Sequence, residues 1–332
     1  MRPSFFALMK IESIETSSPV VLGPMAGVTT LAYRDFMKPF GVGLSFSEMI
    51  SDCGIFYGNA ETYSYLATSR IDRPVGLQLF GSNPDISAKA ISILENKADY
   101  DLLDINLGCP VYKVTKTGAG SAWLKHPQEL YSYMRTIVSA SHKPVSAKIR
   151  LGWDEKSVNF VEVSDLLVKA GISFLTIHAR TSKQMYMGEA NYEPLKDFGK
   201  KLPIPLCVSG DIFTPEKAIE TMKLTGASYV MVARGGLGNP RLISNINHLC
   251  LGEEKEADPT VNEEAEWARD FAARLIAQKG EKVALMQLRG LIPHFFSGFP
   301  GYKKIRAEIA INIKTFDDLV KILDGIEKRE HL

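Results

Sequence analysis

Cysteine is scarce in this chain, and long hydrophobic runs are absent. Only four cysteines occur in 332 residues, and no two of them form a CxxC pair. Spacing this wide argues against a disulfide framework or a metal site, so we expect no metal and a reducing, cytoplasmic environment. No apolar run is long enough to cross a bilayer, and Lys10 and Glu12 interrupt the apolar patch at 5–9 too early for a signal peptide. We therefore expect no association with a membrane.

Two further features are missing. The formal net charge is only +1, so the chain as a whole lacks the basic excess that is typical of nucleic-acid-binding proteins, and local charge must decide. No GxGxxG follows the first apolar segment, which argues against a Rossmann dinucleotide fold. The composition is otherwise that of a globular protein, with 45% hydrophobic and 23% charged residues. The length allows one barrel-sized domain and a smaller one.

Eight short apolar or β-branched segments recur in the first 240 residues, and amphipathic stretches lie between them. Segments this apolar are typical of strands that are covered on both faces, as in parallel sheets. Eight strand–helix units predict an α/β fold of the (β/α)₈ TIM-barrel type, with a doubly wound open sheet as the alternative. The predicted strands are 20–22, 44–48, 75–79, 102–106, 145–149, 174–178, 205–209 and 229–233.

The alternation stops after Pro240, and the remainder predicts helices only. An acidic loop at 252–260 separates the two parts, so we expect a catalytic barrel over residues 1–250 and a small all-helical domain over 260–332. Between residues 282 and 314 the charged side chains are basic except for Glu308. Lys303 and Lys304 lie in this stretch and are predicted to contact RNA phosphates. The aromatic residues among them can either stack on bases or fill the helical core. The predicted helices are 264–279, 282–291, 302–311 and 315–328.

The stretch from Asp104 to Pro110 indicates a thiol at the end of a strand. Pro110 disfavours helix at Cys109, so the cysteine lies on a loop, and Gly108 permits the close approach of a ligand. A basic, glycine-containing stretch follows at 113–121. A thiol beside lysines is typical of a reactive group that faces an anionic substrate, although an inert buried cysteine has the same local pattern.

Polar side chains recur at the predicted strand ends, where a barrel of this class carries its active site. Each of them alone is more often a structural residue. Together they indicate one polar ligand held in common, because buried amides and ammonium groups are unfavourable without partners. Backbone N–H groups after the last two strands favour a phosphate, and a nearby cation favours a reduced flavin, so an FMN-like cofactor explains the set. The residues are Gln78, Asn106, Lys148, His178, Ser209, Gly210, Asp211, Ala233 and Arg234.

Seven motifs of this chain occur in the order in which tRNA-dihydrouridine synthases carry them. The chain resembles that family, and its bacterial B-type branch most, over nearly its whole length. The motif that contains Cys109 is the most specific of them, whereas the Gly-Asp and Arg-Gly elements are shared by many FMN barrels. The motifs are GPMAG at 23–27, QLFG at 78–81, NLGCP at 106–110, GAGS at 118–121, AKIR at 147–150, HART at 178–181 and SGDI at 209–212.

The resemblance implies an FMN enzyme that reduces specific uridines in tRNA to 5,6-dihydrouridine, with NADPH or NADH as the reductant. It implies hydride transfer from the reduced flavin to C6 of a flipped-out uracil, and a proton from Cys109 to C5. A thiol of ordinary pKa, about 8.5, holds this proton at neutral pH, whereas nearby lysines would lower the pKa. Asn106 and Arg180 are implied contacts of the uracil or the RNA. The implied FMN contacts are Pro24, Met25, Ala26, Gln78, Lys148, His178, Ser209, Gly210, Asp211, Ala233 and Arg234.

Three positions depart from the family pattern. Ser209 stands where the family has Asn, and Ala179 and Ala233 stand where it has Gly, so flavin affinity or the RNA target can differ. One alternative is the same reaction on ribosomal RNA, and another is a small-molecule FMN pyrimidine oxidoreductase of the dihydroorotate dehydrogenase kind. A third is an RNA-binding protein with a degenerate barrel. The basic tail argues against the small-molecule enzyme, and the intact strand-end residues argue against the third. We expect a monomer.

Overall fold

Eight parallel strands close into a barrel at the centre of the molecule, in a computed structural model that describes residues 9–329. Each barrel strand pairs with its neighbours in chain order, and the last pairs with the first. The predicted TIM barrel is confirmed, and the open sheet is wrong. Residues 5–8 of the apolar N-terminal patch lie outside the described range. The strands are β1 Met9–Ile11, β2 Ile14–Thr16, and the barrel strands β3 Val20–Leu22, β4 Leu44–Ser51, β5 Val75–Phe80, β6 Leu102–Asn106, β7 Val145–Arg150, β8 Phe174–His178, β9 Leu206–Ser209 and β10 Tyr229–Val232.

Helices cover the outside of the barrel, and their starts follow from the sequence. Asn83 caps α4 by accepting from the backbone N–H groups of residues 85 and 86, and Pro84 occupies the first helical position. Thr214 caps α8 in the same way. The helices of this part are α1 Leu31–Met37, α2 Asp52–Phe56, α3 Ala60–Ser64, α4 Pro84–Lys97, α5 Tyr112–Thr115, α6 Pro127–Ala140, α7 Phe160–Ala170, α8 Pro215–Thr225 and α9 Arg241–Leu251.

The predicted alternation is wrong in two places. The segment between β8 and β9 contains only the 3₁₀ turns Glu193–Leu195 and Phe198–Lys200. Left-handed backbone at Met185 and Asp197 (φ of 51° and 54°) interrupts this segment, which is incompatible with a continuous helix. At the other place, α9 continues the alternation beyond residue 240 and completes the eighth unit.

The short hairpin β1–β2 closes the amino end of the barrel and was not predicted. Ile11 and Ile14 are buried among the apolar side chains of the barrel interior, which include Phe46 and Phe174. The hydroxyl of Tyr229, the first residue of β10, lies 3.0 Å from Thr16 Oγ1. This end of the interior is therefore filled, and any ligand site must lie towards the carboxyl ends of the strands.

The C-terminal region is helical, as predicted. A capping box of Thr260 and Glu263 begins α10, and each side chain bonds to the backbone of the other residue. The 3₁₀ helix Ile292–Phe296, which was not predicted, places Phe295 and Phe296 in the core rather than in solvent. The four helices are α10 Val261–Lys279, α11 Glu281–Leu291, α12 Tyr302–Asn312 and α13 Phe316–Arg329.

An aromatic cluster joins this helical tail to the barrel. Phe271 of α10 contacts Tyr33 and Phe36 of α1, with ring centroids 5.5 and 5.7 Å apart. Gln278 Oε1 accepts from the backbone N–H of Ala32, 2.9 Å away, in the first turn of α1. The two regions belong to one continuous apolar core. The domain boundary near residue 260 stays a prediction.

The tail also touches the loop that follows β10. A Cβ on Gly238 would lie 2.4 Å from the backbone of His294 and Phe295, and φ at this glycine is +65°. Only glycine permits such an approach in this conformation. Tyr33 of the same interface donates to the carbonyl of Gly236, 2.8 Å away. The tail therefore packs against the loop that begins at Ala233. No described helix is both long and apolar enough to cross a membrane.

Candidate active site

A pocket opens at the carboxyl ends of the barrel strands, and most of the predicted cofactor residues line it. Nine of the eleven predicted FMN contacts are brought together there, from five separate segments of the chain. Ala26 and Gln78 are the two that do not line it. The nine are Pro24, Met25, Lys148, His178, Ser209, Gly210, Asp211, Ala233 and Arg234.

The backbone of the turn after β3 donates hydrogen bonds to two side chains. The N–H of Gly27 donates to Glu48 Oε1 at 2.6 Å, and the N–H of Met25 donates to Thr29 Oγ1 at 2.8 Å. These bonds fix the backbone at the edge of the pocket. Ala26 lies at the exposed tip of the turn.

Lys148 brings an ammonium group to the pocket wall. Burial, followed by the charge of Arg150, lowers the pKa of Lys148 to about 8. Within residues 9–329, no hydrogen bond or ion pair engages its Nζ atom, although Asp104 and Cys109 lie close enough to raise the pKa slightly. An ammonium group of this kind is expensive to bury alone. It therefore suits an anionic or electron-rich partner in the pocket.

His178 is held in its neutral form. Its burial, and then the positive charges of Lys148, Arg150, Arg180 and Arg234, hold the pKa of the imidazole well below its usual value. Its Nε2 atom lies 3.4 Å from Nη1 of Arg180. Because a guanidinium can only donate, Nε2 is the acceptor, and Nδ1 carries the proton. His178 therefore presents a neutral hydrogen-bonding group.

Arg180, an implied contact of the uracil or the RNA, is almost completely buried, at 1% exposure. It forms two hydrogen bonds with the Asp211 carboxylate, 2.9 and 2.5 Å long, and it donates to the carbonyls of Met187 and Gly188. Its donors are thus engaged inside the protein, where it supports Asp211 and the loop after β8. An additional contact with RNA stays a prediction.

Asp211 and Arg234 form the polar rim of the pocket. Burial acts to raise the pKa of Asp211, but hydrogen bonds from Arg180 and from the N–H of Ala190 outweigh it and lower the pKa below its usual range. Arg234 is half exposed and lies 3.2 Å from Asp211 Oδ1. Asp211 therefore remains ionised and orients both arginines. Ser209 and Gly210, in the same segment, also line the pocket.

Gln78 lies one layer deeper, inside the barrel. Its Nε2 atom donates to Asp104 at 2.6 Å, and its Oε1 atom accepts from Asn106 Nδ2 at 2.7 Å. An amide has two N–H groups and two lone pairs, so one of each is left for a ligand. The predicted contact of Gln78 with FMN stays a prediction.

The loop after β6 carries Cys109. Strand β6 pairs with β7, the strand that carries Lys148. Asn106 Oδ1 accepts from the N–H of Cys109 at 2.8 Å, and Ser121 Oγ donates to the carbonyl of Cys109 at 2.9 Å. Burial raises the pKa of the thiol, and the charges of Arg150 and Lys148 offset this only in part. Lys148 therefore acts to lower the pKa of the thiol, as expected of a nearby lysine, but burial outweighs it and the net pKa is raised. Lys113 and Lys116 are exposed, and the thiol keeps its proton at neutral pH.

Arg150 is a residue of the site that the sequence analysis missed. It is 2% exposed and donates to the carbonyls of Gly108, Thr181 and Met185. It therefore ties the Cys109 loop to the loop after β8. The available signal was a second basic residue at the carboxyl end of β7, two positions after Lys148.

Two exposed aromatic rings at the pocket were also missed. Tyr186 and Phe213 are 51% and 50% exposed. The guanidinium carbon of Arg234 lies 5.0 Å from the ring centre of Tyr186 and 5.8 Å from that of Phe213. Arginine between two rings is held by cation–π attraction. Both rings come from irregular loops, where periodicity gives no signal.

The predicted phosphate contacts of the tail are on its surface. Lys303 and Lys304 lie in the first turn of α12 and are exposed, whereas Ile305 and Ile309 of the same helix are buried. The helix therefore turns its apolar face to the core and its basic face to solvent. Their contact with RNA stays a prediction.

A closed (β/α)₈ barrel with a polar pocket and a protonated thiol at the carboxyl ends of its strands defines a TIM-barrel enzyme. The family model described as "Dihydrouridine synthase (Dus)" matches residues 21–324, which include the barrel and the helical tail. The chain belongs to the dihydrouridine synthase family. The predicted family is thereby confirmed.

Named relatives agree with this assignment. The chain is 34% identical to a "Probable tRNA-dihydrouridine synthase 1" of Synechocystis over 91% of this chain and 84% of that protein. It is 31% identical to a probable tRNA-dihydrouridine synthase of Rickettsia bellii over 97% of this chain and 100% of that protein. It is 35% identical to tRNA-dihydrouridine synthase B of Pasteurella multocida over 77% and 76% of the two chains, so relatives of the predicted B-type branch are among them.

The fold has a relative among solved structures. A variant of NCR from Zymomonas mobilis superposes with a TM-score of 0.54 and 16% identity, covering 75% of this chain and 92% of that chain. At this identity the similarity concerns the fold alone.

Proposed function

We propose that this protein reduces specific uridines of tRNA to 5,6-dihydrouridine, with FMN as the bound cofactor and NADPH as the reductant. The observation that carries the proposal is the placement of a protonated thiol, Cys109, on the loop after β6, next to the strand β7 that carries Lys148, whose ammonium has no partner within residues 9–329, in a barrel that belongs to this family. The names of the relatives support tRNA as the substrate.

The residues of the pocket fit a flavin mononucleotide. Lys148 offers a cation without a partner in the described part of the chain, and the neutral His178 offers an N–H group beside it. Arg234 lines the same pocket as Ser209 and Gly210, and its guanidinium offers donors to a phosphate. We therefore assign Lys148 and His178 to the ring and Arg234 to the phosphate. When bound, a flavin supplies the hydride for C6 of the uracil.

Cys109 supplies the proton for C5. A general acid must hold its proton at working pH, and burial raises the pKa of this thiol. Two bonds fix the backbone on either side of it, from Asn106 and from Ser121. The protein therefore keeps a protonated group in a defined place. Hydride and proton together add two hydrogens, and the two electrons come from NADPH.

The RNA must present one base at a time. A uracil inside a folded RNA leaves its stack to reach a pocket at the end of a barrel. Exposed lysines lie after Cys109, at 113 and 116, and in the first turn of α12 of the tail, at 303 and 304. These groups suit the phosphates on both sides of an extruded nucleotide. The basic tail is an addition that a free pyrimidine would not require.

The test is an RNA turnover assay. The protein, FMN and NADPH are incubated with unmodified tRNA, and the nucleosides are read by mass spectrometry. We expect a gain of two hydrogens on uridine, and a loss of about 10²–10⁴-fold in rate for Cys109→Ala. Cys53→Ala is the matched control, because Cys53 is an exposed cysteine on α2. If the flavin is reduced but the uridines of tRNA gain no hydrogens, tRNA is rejected as the substrate. Ribosomal RNA would then be assayed, followed by free pyrimidines.

A further inference from the structure

A series of hydrogen bonds runs from the barrel interior to the loop of Cys109. Asp104 Oδ2 accepts from Gln78 Nε2 at 2.6 Å, and Gln78 Oε1 accepts from Asn106 Nδ2 at 2.7 Å. Asn106 Oδ1 in turn accepts from the N–H groups of Gly108 and Cys109, at 3.2 and 2.8 Å. The three side chains are 1%, 0% and 6% exposed, so water does not compete for these bonds. We call them the amide relay.

The two ends of the amide relay dictate its direction. The backbone N–H groups of Gly108 and Cys109 can only donate, and an ionised carboxylate can only accept. Burial raises the pKa of Asp104 to about 6, so this group is still mainly ionised at neutral pH. Between such ends, two amides have a single arrangement in which every donor meets an acceptor. That arrangement is the one observed.

We propose that Asp104 is a positioning residue: its carboxylate fixes the orientation of the Gln78 amide and, through Asn106, the loop that carries Cys109. Asp104 itself does not line the pocket. The proposal rests on the proposed function only for the role of Cys109 as the acid. The geometry of the amide relay does not depend on it.

The physical reason is the alternative that Asp104 excludes. If Gln78 turned its amide by half a rotation, Nε2 would face Nδ2 of Asn106, and two donors would meet. Asn106 would then lose its acceptor or turn as well, which would place its own N–H₂ against the N–H of Cys109. Ser146 Oγ donates to the other carboxylate oxygen at 2.6 Å and holds Asp104 in place. A buried polar chain of this kind stays ordered only while each member is satisfied.

The first variants differ in whether position 104 still offers an acceptor. Asp104→Asn keeps one oxygen for Gln78, because the Ser146 hydroxyl can reverse and accept. Asp104→Leu has a similar shape and no acceptor. Ser45→Ala is the control, because Ser45 is a buried barrel residue outside the amide relay.

The main readout is amide hydrogen exchange in the peptide that contains Gly108 and Cys109, measured on the full chain with its bound cofactor. We expect exchange there to rise about tenfold in Asp104→Leu and to stay within about threefold in Asp104→Asn, with strand β8 unchanged. The rate of uridine reduction per bound flavin should fall in parallel, in kcat rather than KM. A purely structural role would raise exchange throughout the barrel.

Epistasis makes the test independent of how well Asp104→Leu folds. Gln78→Met removes the middle of the amide relay. The double variant Asp104→Leu/Gln78→Met replaces both partners of one hydrogen bond by apolar groups, a change that lowers stability little. Because the two residues act in series, the double variant should exchange at Gly108 and Cys109 no faster than Gln78→Met alone. Additive effects, or a folded Asp104→Leu protein with wild-type exchange and turnover, would overturn the proposal. Wild-type protein that never reduces uridine would instead reject the proposed function and leave the exchange result standing.

Discussion

The two ends of the barrel interior are built from opposite kinds of residue. The amino end is filled by apolar side chains and closed by the hairpin β1–β2. The carboxyl end, formed by the same strands, is polar and opens to the pocket. Strand β6 shows the change among its inward-facing residues, from Leu102 to Asp104 and Asn106. Stability and chemistry are therefore separated along the barrel axis, and substitutions at the two ends should have opposite consequences.

The largest effect on stability is expected at the amino end. Phe174 is fully buried, and its ring meets that of Tyr229 edge to face at 5.1 Å. Phe174→Ala should lower the free energy of unfolding by about 3–5 kcal/mol, as measured by urea denaturation. The rate of uridine reduction per folded molecule should be unchanged at low temperature. Val161→Ala, on the exposed face of α7, is the control and should change stability by less than about 0.5 kcal/mol.

The reverse result is expected at the carboxyl end. Lys148→Met removes a charge that has no partner within residues 9–329, so the free energy of unfolding should not fall. FMN affinity should fall about 10–100-fold, because a hydrogen bond to a charged group contributes about 1.5–3 kcal/mol. Fluorescence titration of the flavin-free protein measures this. Lys169→Met on α7 is the control for removal of an exposed lysine. Unchanged FMN affinity would remove Lys148 from the cofactor site.

The same contrast has a pH signature. Burial lowers the pKa of Lys148 to about 8, below its value in the unfolded chain, so the unfolded state binds more protons between that pH and about 10.4. Stability linked to this group therefore rises with pH in that window. In the flavin-free protein, the stability of the wild type relative to Lys148→Met should increase from pH 8 to pH 10. A difference that stays constant with pH would contradict the assignment.

A smaller effect is expected outside the barrel, on the tail. Lys303→Glu/Lys304→Glu should weaken tRNA binding and reduce the slope of log affinity against log salt by about two, with FMN content unchanged. Lys169→Glu/Lys223→Glu makes the same change of charge on exposed positions of α7 and α8 and is the matched control. Equal weakening by both pairs would point to net charge rather than to a surface on α12.

The smallest effect is expected at Tyr112, three residues after the acid. Its ring is 77% exposed, beside the exposed Lys113 and Lys116. A base flanking the extruded uridine can stack there, and such stacking contributes about 1–3 kcal/mol per base. Tyr112→Ala should raise the KM for tRNA about fivefold or more, whereas Tyr112→Phe should not. Equal KM values for the wild type and Tyr112→Ala would exclude stacking at this position.

The sequence was most informative where burial alone determines structure. Strand β6 could be predicted to the residue because Leu102, Leu103 and Ile105 put apolar side chains on both of its covered faces. The hairpin β1–β2 was missed because its strands of three residues are too short to show a period. The missing helix after β8 depends on left-handed residues such as Met185, which neither hydrophobicity nor turn composition reveals.

The residues of the site could be predicted from the sequence, whereas the contacts between their side chains could not. Residue types at strand ends identified seven of the nine pocket residues, because parallel strands of one barrel end at one rim, and the family resemblance supplied Pro24 and Met25. The partners could not be predicted. Arg180 reads as an exposed basic group, but it is bound to Asp211 from a neighbouring strand end. Asp104 passed unnoticed for the same reason, because its partner Gln78 lies 26 positions away in the chain.

The contact between Gly238 and the tail has a consequence for how such a protein can change over evolutionary time. The tail shares its aromatic cluster with α1 and rests on the loop that continues from the pocket wall. Exchange for an unrelated tail would leave Phe36 uncovered and that loop unsupported, so the tail is poorly suited to wholesale shuffling between proteins. If the tail binds RNA as proposed, new targets would be reached more readily by changing side chains on its outer face, one residue at a time, while the inner face is inherited intact.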